Sequence, residues 1–221
     1  MIMKLSQSTL TVLKNFSSIN PSISFKEGKV LRTLSAQKTI MAQVEIEDQI
    51  PTDFAIYDLN QFLSTVSLFS DPTMSVEDGF VKIADGKSAT KYFCTDPAMV
   101  VAPPEKNIAL PDSPIKFSMT YDDFKATIQA ANVLQLPDWC VVGDGTTTRI
   151  VATDTKNETS NTFEREVGTT DKTFRMVFKV ENLKLLQGNY DVEISSQRIS
   201  HFSTNNGQVQ YWIATETNST I

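Results

Sequence analysis

Four dipeptides in the sequence supply the positive backbone φ that tight β-hairpin turns require, and they are shared equally between the two halves of the chain. Each lies between alternating or β-branched runs, so each predicts a pair of antiparallel strands. Two of them precede residue 110 and two follow it: Glu27-Gly28, Asp78-Gly79, Asp144-Gly145 and Asn206-Gly207. This spacing constrains the chain to two β-rich units.

The helix and strand patterns around these turns repeat in the same order. Apolar residues at helical spacing predict four helices, at roughly 5–16, 58–69, 121–134 and 181–187. Alternating runs predict strands at roughly 22–26, 29–35, 40–47, 73–77, 80–85, 89–94, 115–119, 139–143, 147–153, 161–167, 189–195, 198–203 and 208–216. An internal duplication explains this order better than chance does. We therefore predict an α+β fold with two tandem, similar β-rich domains, 1–110 and 111–221, each with two helices.

A proline-rich segment separates the two predicted domains. It covers 96–114 and holds five of the nine prolines. Proline disfavours helix interiors and central strands, so we predict an extended connector that belongs to the first domain from about residue 96. Its apolar residues Val100, Val101, Ile108 and Leu110 indicate that it lies on a surface.

Composition and motifs argue against several classes of protein. The net charge of −6 argues against a protein that coats nucleic acid, but not against one that contacts it through a single inner face. No apolar run approaches the ~20 residues of a membrane span. Cys94, Cys140 and the single histidine, His201, have no metal-site or triad spacing, and glycine-rich phosphate motifs are missing. We predict a protein that is not an enzyme and that requires no metal or cofactor.

Five separate blocks of the sequence are distinctive. They are Met3-Lys-Leu-Ser6, Leu13-Lys-Asn-Phe16, Ala55-Ile-Tyr-Asp-Leu-Asn-Gln-Phe62, Lys82-Ile-Ala-Asp85 and Asp96-Pro-Ala-Met-Val-Val-Ala-Pro103. Taken in this order, they resemble the sliding clamps of T-even-type bacteriophages. The resemblance is strong over 3–112 and continues mostly as a pattern over 113–221.

The resemblance implies a DNA polymerase processivity factor (DNA clamp fold) in the cytoplasm of an infected bacterial host. In that family three subunits close head to tail into a ring around duplex DNA, without reading its sequence. A clamp loader opens the ring, and the viral DNA polymerase docks through a peptide. One alternative is a non-enzymatic docking scaffold on the same doubled fold, without DNA in its hole. Another is an enzyme that uses the acidic strands, for which paired carboxylates in a pocket would be the sign.

Three sets of residues follow as candidates. Helix spacing places Lys125, Gln129 and Asn132 on one polar face, and with the resemblance the DNA-facing set becomes Lys14, Lys125, Lys179, Lys184, Gln129 and Asn132. The resemblance implies a partner pocket of Leu34, Ile40, Val100, Val101, Ile108, Leu110, Trp212 and Ala214, although these residues would equally serve to pin the connector. It also implies that edge strands join subunits through Tyr92, Phe93, Cys94, Phe163 and Arg165. For each lysine, a solvated helix face is the alternative.

Overall fold

The computed structural model describes residues 2–104 and 108–221. The chain forms two compact units, Met1–Asn107 and Ile108–Ile221. The predicted boundary, between 110 and 111, lies three residues further along. Both units are β-rich, and the α+β prediction with two tandem domains is confirmed.

The first unit begins with a short strand and a helix and continues with further strands and a second helix. Its elements are β1 (Ile2–Met3), α1 (Gln7–Ile19), β2 (Ile23–Phe25), β3 (Gly28–Leu34), β4 (Ile40–Ile50), β5 (Phe54–Ile56), α2 (Leu59–Val66), β6 (Thr73–Glu77), β7 (Phe80–Asp85) and β8 (Ser88–Phe93). Strands β1 and β5 were not predicted from the sequence, and β1 has only two residues.

The second unit repeats this order, with a 3₁₀ turn where the first unit has its second helix. Its elements are β9 (Ile115–Met119), α3 (Tyr121–Leu134), β10 (Asp138–Asp144), β11 (Thr147–Thr153), β12 (Phe163–Thr169), β13 (Thr173–Lys179), the 3₁₀ turn Val180–Asn182, β14 (Tyr190–Ile194), β15 (Ile199–Ser203) and β16 (Val209–Ala214). An identical succession of strands in both units is what a duplicated segment produces.

The prediction of a fourth helix near 181–187 is wrong. The chain makes only the turn Val180–Asn182, and no side chain caps its start at Lys179. Leu183 leaves helical geometry, with φ −88° and ψ 65°. A segment this short nucleates poorly, and no side chain caps its start, so the apolar spacing alone does not produce a helix.

Within each unit, the first strand and the last three strands form one antiparallel sheet. In the first unit the order is β1-β6-β7-β8. In the second, β9 pairs with β14, β14 with β15, and β15 with β16. The remaining strands pair as β2 with β5 and β3 with β4 in the first unit, and as β12-β11-β10-β13 in the second. Strands β8 and β12 therefore each end a sheet.

The helices cover the sheets with their apolar faces. Each begins at a polar cap, which is Ser6 for α1, Asp58 for α2 and Thr120 for α3. These side chains accept hydrogen bonds from backbone N–H groups of the first turn, and this stabilises the helix start by about 1 kcal/mol. The buried faces include Leu13 and Phe16 of α1, Leu59 and Phe62 of α2, and Phe124 and Ala131 of α3. None of the helices in the described residues is long and apolar enough to span a membrane.

Candidate nucleic-acid interface and strand edges

The outward face of α1 is polar and bears one positive charge. Val12, Leu13 and Phe16 are buried, whereas Thr11 and Lys14 are exposed on the opposite side. No acidic residue lies in this helix. The structure therefore places Lys14 on an exposed helix face, as the helix spacing predicted.

The outward face of α3 is similar. Lys125, Gln129 and Asn132 are all exposed, at the i, i+4 and i+7 spacing expected of one face. The ammonium of Lys125 lies 6.0 Å from the centre of the Tyr121 ring. The side chain remains on the helix surface, where it can meet an anion.

Asp123, in the first turn of α3, has its carboxylate held by the protein. It accepts hydrogen bonds from Thr120, which caps the helix, and from the Arg165 guanidinium on β12. Partial burial raises the pKa of this carboxyl, but the hydrogen bonds from Thr120 and Arg165 outweigh that effect and lower the pKa below its usual value. The negative charge of Asp123 is therefore largely neutralised by Arg165.

Acidic residues are nearly excluded from the α-helices. Of the 26 Asp and Glu residues in the chain, only Asp122 and Asp123 lie in α1, α2 or α3. The outer face of α2 is neutral, with Asn60, Gln61 and Ser64 exposed. Since the chain as a whole carries −6, the outer helix faces are the surface on which a polyanion meets the least repulsion.

Lys179 and Lys184 do not lie on a helix. Lys179 ends β13, and its Nζ is 2.5 Å from Oδ1 of the fully buried Asp138. That hydrogen bond raises the pKa of the Lys179 ammonium. Lys184 is half-buried in the irregular segment after the 3₁₀ turn. The ion pair with Asp138 could not be predicted from the sequence because the two residues lie 41 positions apart. Since neither lysine lies on a helix face, we leave both out of the candidate DNA-facing set.

Strand β8 presents two aromatic residues on opposite faces. The Tyr92 ring packs edge-on against Phe62 of α2 at 5.3 Å, and its hydroxyl donates to the carbonyl oxygen of Asp58 at 2.9 Å. Phe93 points the other way and is 73% exposed. A cleft of about 410 Å³ lies along this edge, bounded by the start of α2. Cys94 lies one residue beyond the strand, where its N–H donates to Gly79 at 2.9 Å.

Strand β12 is fixed to α3 through one face. Phe163 packs against the cluster of Ala131, Leu136 and Ala152, and Arg165 bonds Asp123. Glu164 and Glu166, which alternate with these residues, are exposed on the other face. Beyond β11, this strand has no neighbour in its sheet.

The opposite margin of that sheet is covered by the C-terminal segment. Residues 216–220 run beside β13, and Arg175 and Thr220 exchange both backbone hydrogen bonds at 2.8 Å. The N–H of Glu216 donates to the carbonyl of Val177, whose own N–H donates to the Ser219 hydroxyl. Such coverage protects an edge from pairing with other chains, and it leaves β12 as the open margin.

The residues of the predicted partner pocket belong to both units. In the first unit, Ile40 and Val100 are buried, Leu34 is half-buried and Val101 is 41% exposed. In the second, Trp212 is buried, and Ile108, Leu110 and Ala214 are half-buried. The pocket itself stays a prediction.

Asn20 anchors the beginning of the connector within the first unit. Its amide nitrogen donates to the carbonyl oxygens of Leu34 at 2.8 Å and Val101 at 3.4 Å. Its own oxygen accepts from Ser22. No sequence pattern distinguishes this residue, since an asparagine at the end of a helix resembles an ordinary stop signal.

Comparison with known proteins identifies the family. A family model described as DNA polymerase processivity factor matches residues 4–101, and one described as gp45 sliding clamp, C terminal, matches 116–217. The chain is 33% identical to the sliding clamp of Vibrio phage KVP40, over 97% of this chain and 99% of that one. The chain belongs to the sliding-clamp family. Sliding clamps of Escherichia phage RB69 and Enterobacteria phage T4 are similar at 33% and 30% identity, each covering 99% of both chains.

Solved structures confirm the clamp fold. The chain is similar to A. fulgidus PCNA bound to the C-terminal region of FEN-1, with a TM-score of 0.70, 20% identity and coverage of 99% of this chain and 98% of that one. It is also similar to PCNA from Thermococcus kodakaraensis, with a TM-score of 0.70, 12% identity and coverage of 98% and 99%. The family models and the related phage clamps confirm the predicted resemblance to T-even-type clamps and the function as a polymerase processivity factor.

Proposed function

We propose that this clamp assembles as three copies, head to tail, into a ring that encloses duplex DNA and does no chemistry of its own. In each junction, β8 of one copy joins β12 of the next. The observation that carries this proposal is that β8 ends a sheet in the first unit and β12 ends one in the second, together with helix faces almost free of acidic residues. A junction between two different edges repeats until the rotation closes a ring.

The DNA contact we propose is weak and independent of sequence. Lys14 and Lys125, with the neutral Gln129 and Asn132, offer long polar side chains to phosphates but no arrangement for reading bases. Few cations mean few released counterions, so affinity for any one position on the duplex is low. A ring does not need higher affinity, because it stays on DNA by enclosing the duplex. Weak contacts also leave it able to slide.

The partners we propose are a clamp loader, which opens the ring, and the viral DNA polymerase, both in the cytoplasm of the infected host. The FEN-1 fragment in the similar PCNA structure is a C-terminal region, which supports a short peptide as the docking element. On this clamp we expect the connector to take part through Ile108 and Leu110, which are half-buried and not fully packed.

The decisive experiment separates enclosure from ordinary binding. Wild-type protein should have a molar mass near three times 24.6 kDa by light scattering. Loaded onto a nicked circular plasmid with a cognate clamp loader and ATP, it should survive a high-salt wash. It should then be lost when the circle is cut by a restriction enzyme.

Two outcomes would contradict the proposal. A monomer at every concentration would refute the ring. A trimer that leaves circular and linear DNA equally fast would favour a docking scaffold without DNA in its hole.

A further inference from the structure

Two lysines lie directly opposite each other on the outer face of the β8 sheet. Lys91 of β8 is in register with Lys82 of β7, and both side chains are exposed. The ammonium of Lys91 lies 4.5 Å from the centre of the Phe80 ring. Within residues 2–104 and 108–221, neither lysine forms an ion pair. Like charges directly across a ladder repel each other. Because no carboxylate among the described residues pairs with either lysine, this edge carries unneutralised positive charge.

The outer face of β12 has the opposite imbalance. Glu164 and Glu166 are exposed there, and Arg149 lies opposite Glu166 on β11. The Arg149 guanidinium bonds Asp144 at 2.7 Å, and its Nε is 3.9 Å from Glu164. Arg149 thus pairs with Asp144 and only approaches Glu164, while Glu166 forms no ion pair among the described residues.

Side-chain alternation decides what these two faces meet when β8 and β12 join. Tyr92 packs on α2 and Phe163 packs on the α3 cluster, so each marks the helix side of its strand. In one continuous sheet with its helices on one side, Lys91 must then fall on the face of Glu164 and Glu166. A shift by one residue is forbidden, because it would move every side chain to the wrong face.

We propose that the Lys82–Lys91 pair and the Glu164–Glu166 pair determine which edges of this clamp can join. This inference rests on the proposed head-to-tail assembly, and the partner is a second copy of the same chain. Pairing of β8 with β12 places lysines beside glutamates. Pairing β8 with β8 would gather four lysines, and pairing β12 with β12 would gather four glutamates. Like-charge contact disfavours both twofold dimers and leaves the ring-forming junction.

Charge reversal tests this directly. The Lys91→Glu variant should assemble with a dissociation constant about tenfold higher than that of wild type at low salt. Sedimentation velocity across a dilution series measures this difference. Glu164→Lys with Glu166→Lys should raise the dissociation constant to the same extent. Combining all three reversals in one chain should recover most of the lost association. The penalties should shrink as added salt screens the charges.

A control and a folding measurement keep the test decisive. Lys29→Glu, an exposed lysine on β3, should leave the assembly unchanged. Lys91→Gln and Glu166→Gln, with thermal unfolding of every variant, show whether a loss of association comes from a loss of folding. If wild type is a trimer and the folded charge-reversal variants assemble with the same dissociation constant, the charge rule is wrong but the proposed ring is not contradicted. If wild type never assembles, the ring itself is wrong. Reversals that weaken assembly without recovery in the combined variant would also overturn the rule.

Discussion

At the scale of single residues, Asp138 ties several segments of the second unit together. Its carboxylate is fully buried and accepts from Lys179 on β13 and from the backbone N–H and hydroxyl of Thr155, at 2.9 and 2.6 Å. Thr155 in turn accepts from the Asn218 side chain at 3.2 Å. A buried charge is tolerated only with such partners, so the strand, the loop and the C-terminal segment depend on one ion pair.

We expect Asp138→Asn to destabilise the clamp by about 3–5 kcal/mol at pH 7, because it leaves the Lys179 ammonium partly buried without its counter-charge. Burial raises the pKa of the Asp138 carboxyl, but the hydrogen bonds from Lys179 and Thr155 outweigh it and lower the pKa. A carboxyl with a lowered pKa in the folded state stabilises the protein above its unfolded pKa of ~4 and loses that contribution as the pH falls through the folded value.

Urea unfolding at several pH values measures this difference. The stability gap between wild type and Asp138→Asn should be full at pH 7 and should narrow below about pH 4. Glu158→Gln, which alters an exposed loop carboxylate, should show no such gap. A gap that is unchanged at pH 3 would mean that the ion pair does not carry this stability.

At the scale of elements, the outer faces of α1 and α3 carry the proposed DNA contact. Lys14→Glu with Lys125→Glu should weaken loading or processive synthesis roughly threefold to tenfold at low salt and less at high salt, since screening already reduces the attraction there. Assembly should remain intact, because neither lysine lies on β8 or β12. Lys29→Glu is the matched reversal, and unchanged activity in the double variant would remove these two positions from the contact.

The connector gives a second prediction at this scale. Ile108→Ser with Leu110→Ser should abolish binding of a polymerase C-terminal peptide, measured by fluorescence anisotropy, if these side chains supply apolar contact area to the peptide. The ring should stay trimeric and cooperatively folded. Lower stability with full peptide affinity would instead show that the two residues only pin the connector.

Local patterns in the sequence predicted much of each element and little of what joins elements. The i, i+4, i+7 spacing placed Lys125, Gln129 and Asn132 correctly on an exposed face, because a helix face depends only on neighbours along the chain. The pairing of Lys179 with Asp138 depends on strand register across 41 residues, which periodicity does not encode. The fourth helix failed for a related reason, since apolar spacing is present but the capping group is missing.

At the scale of the whole molecule, the C-terminal segment along β13 controls how many margins of that sheet are open. A chain that ends after Thr215 would lose the hydrogen bonds that Glu216, Ser219 and Thr220 make with β13. We expect a loss of about 2–4 kcal/mol, at ~1 kcal/mol for each bond, and concentration-dependent association beyond the ring. Thermal unfolding and light scattering measure both effects. Ser219→Ala, which removes one bond, should show only slight destabilisation, and a truncated chain that stays trimeric would contradict the protective role.

The covered β13 margin also has a consequence for how assembly stops. In the proposed assembly β8 of each copy joins β12 of the next, so every linear row of copies leaves one β8 edge and one β12 edge unpaired, whatever its length. Joining those ends removes the last place where a further copy could add. The proposed ring therefore stops growing once it closes, and any agent that opens it for DNA has a single kind of junction to separate.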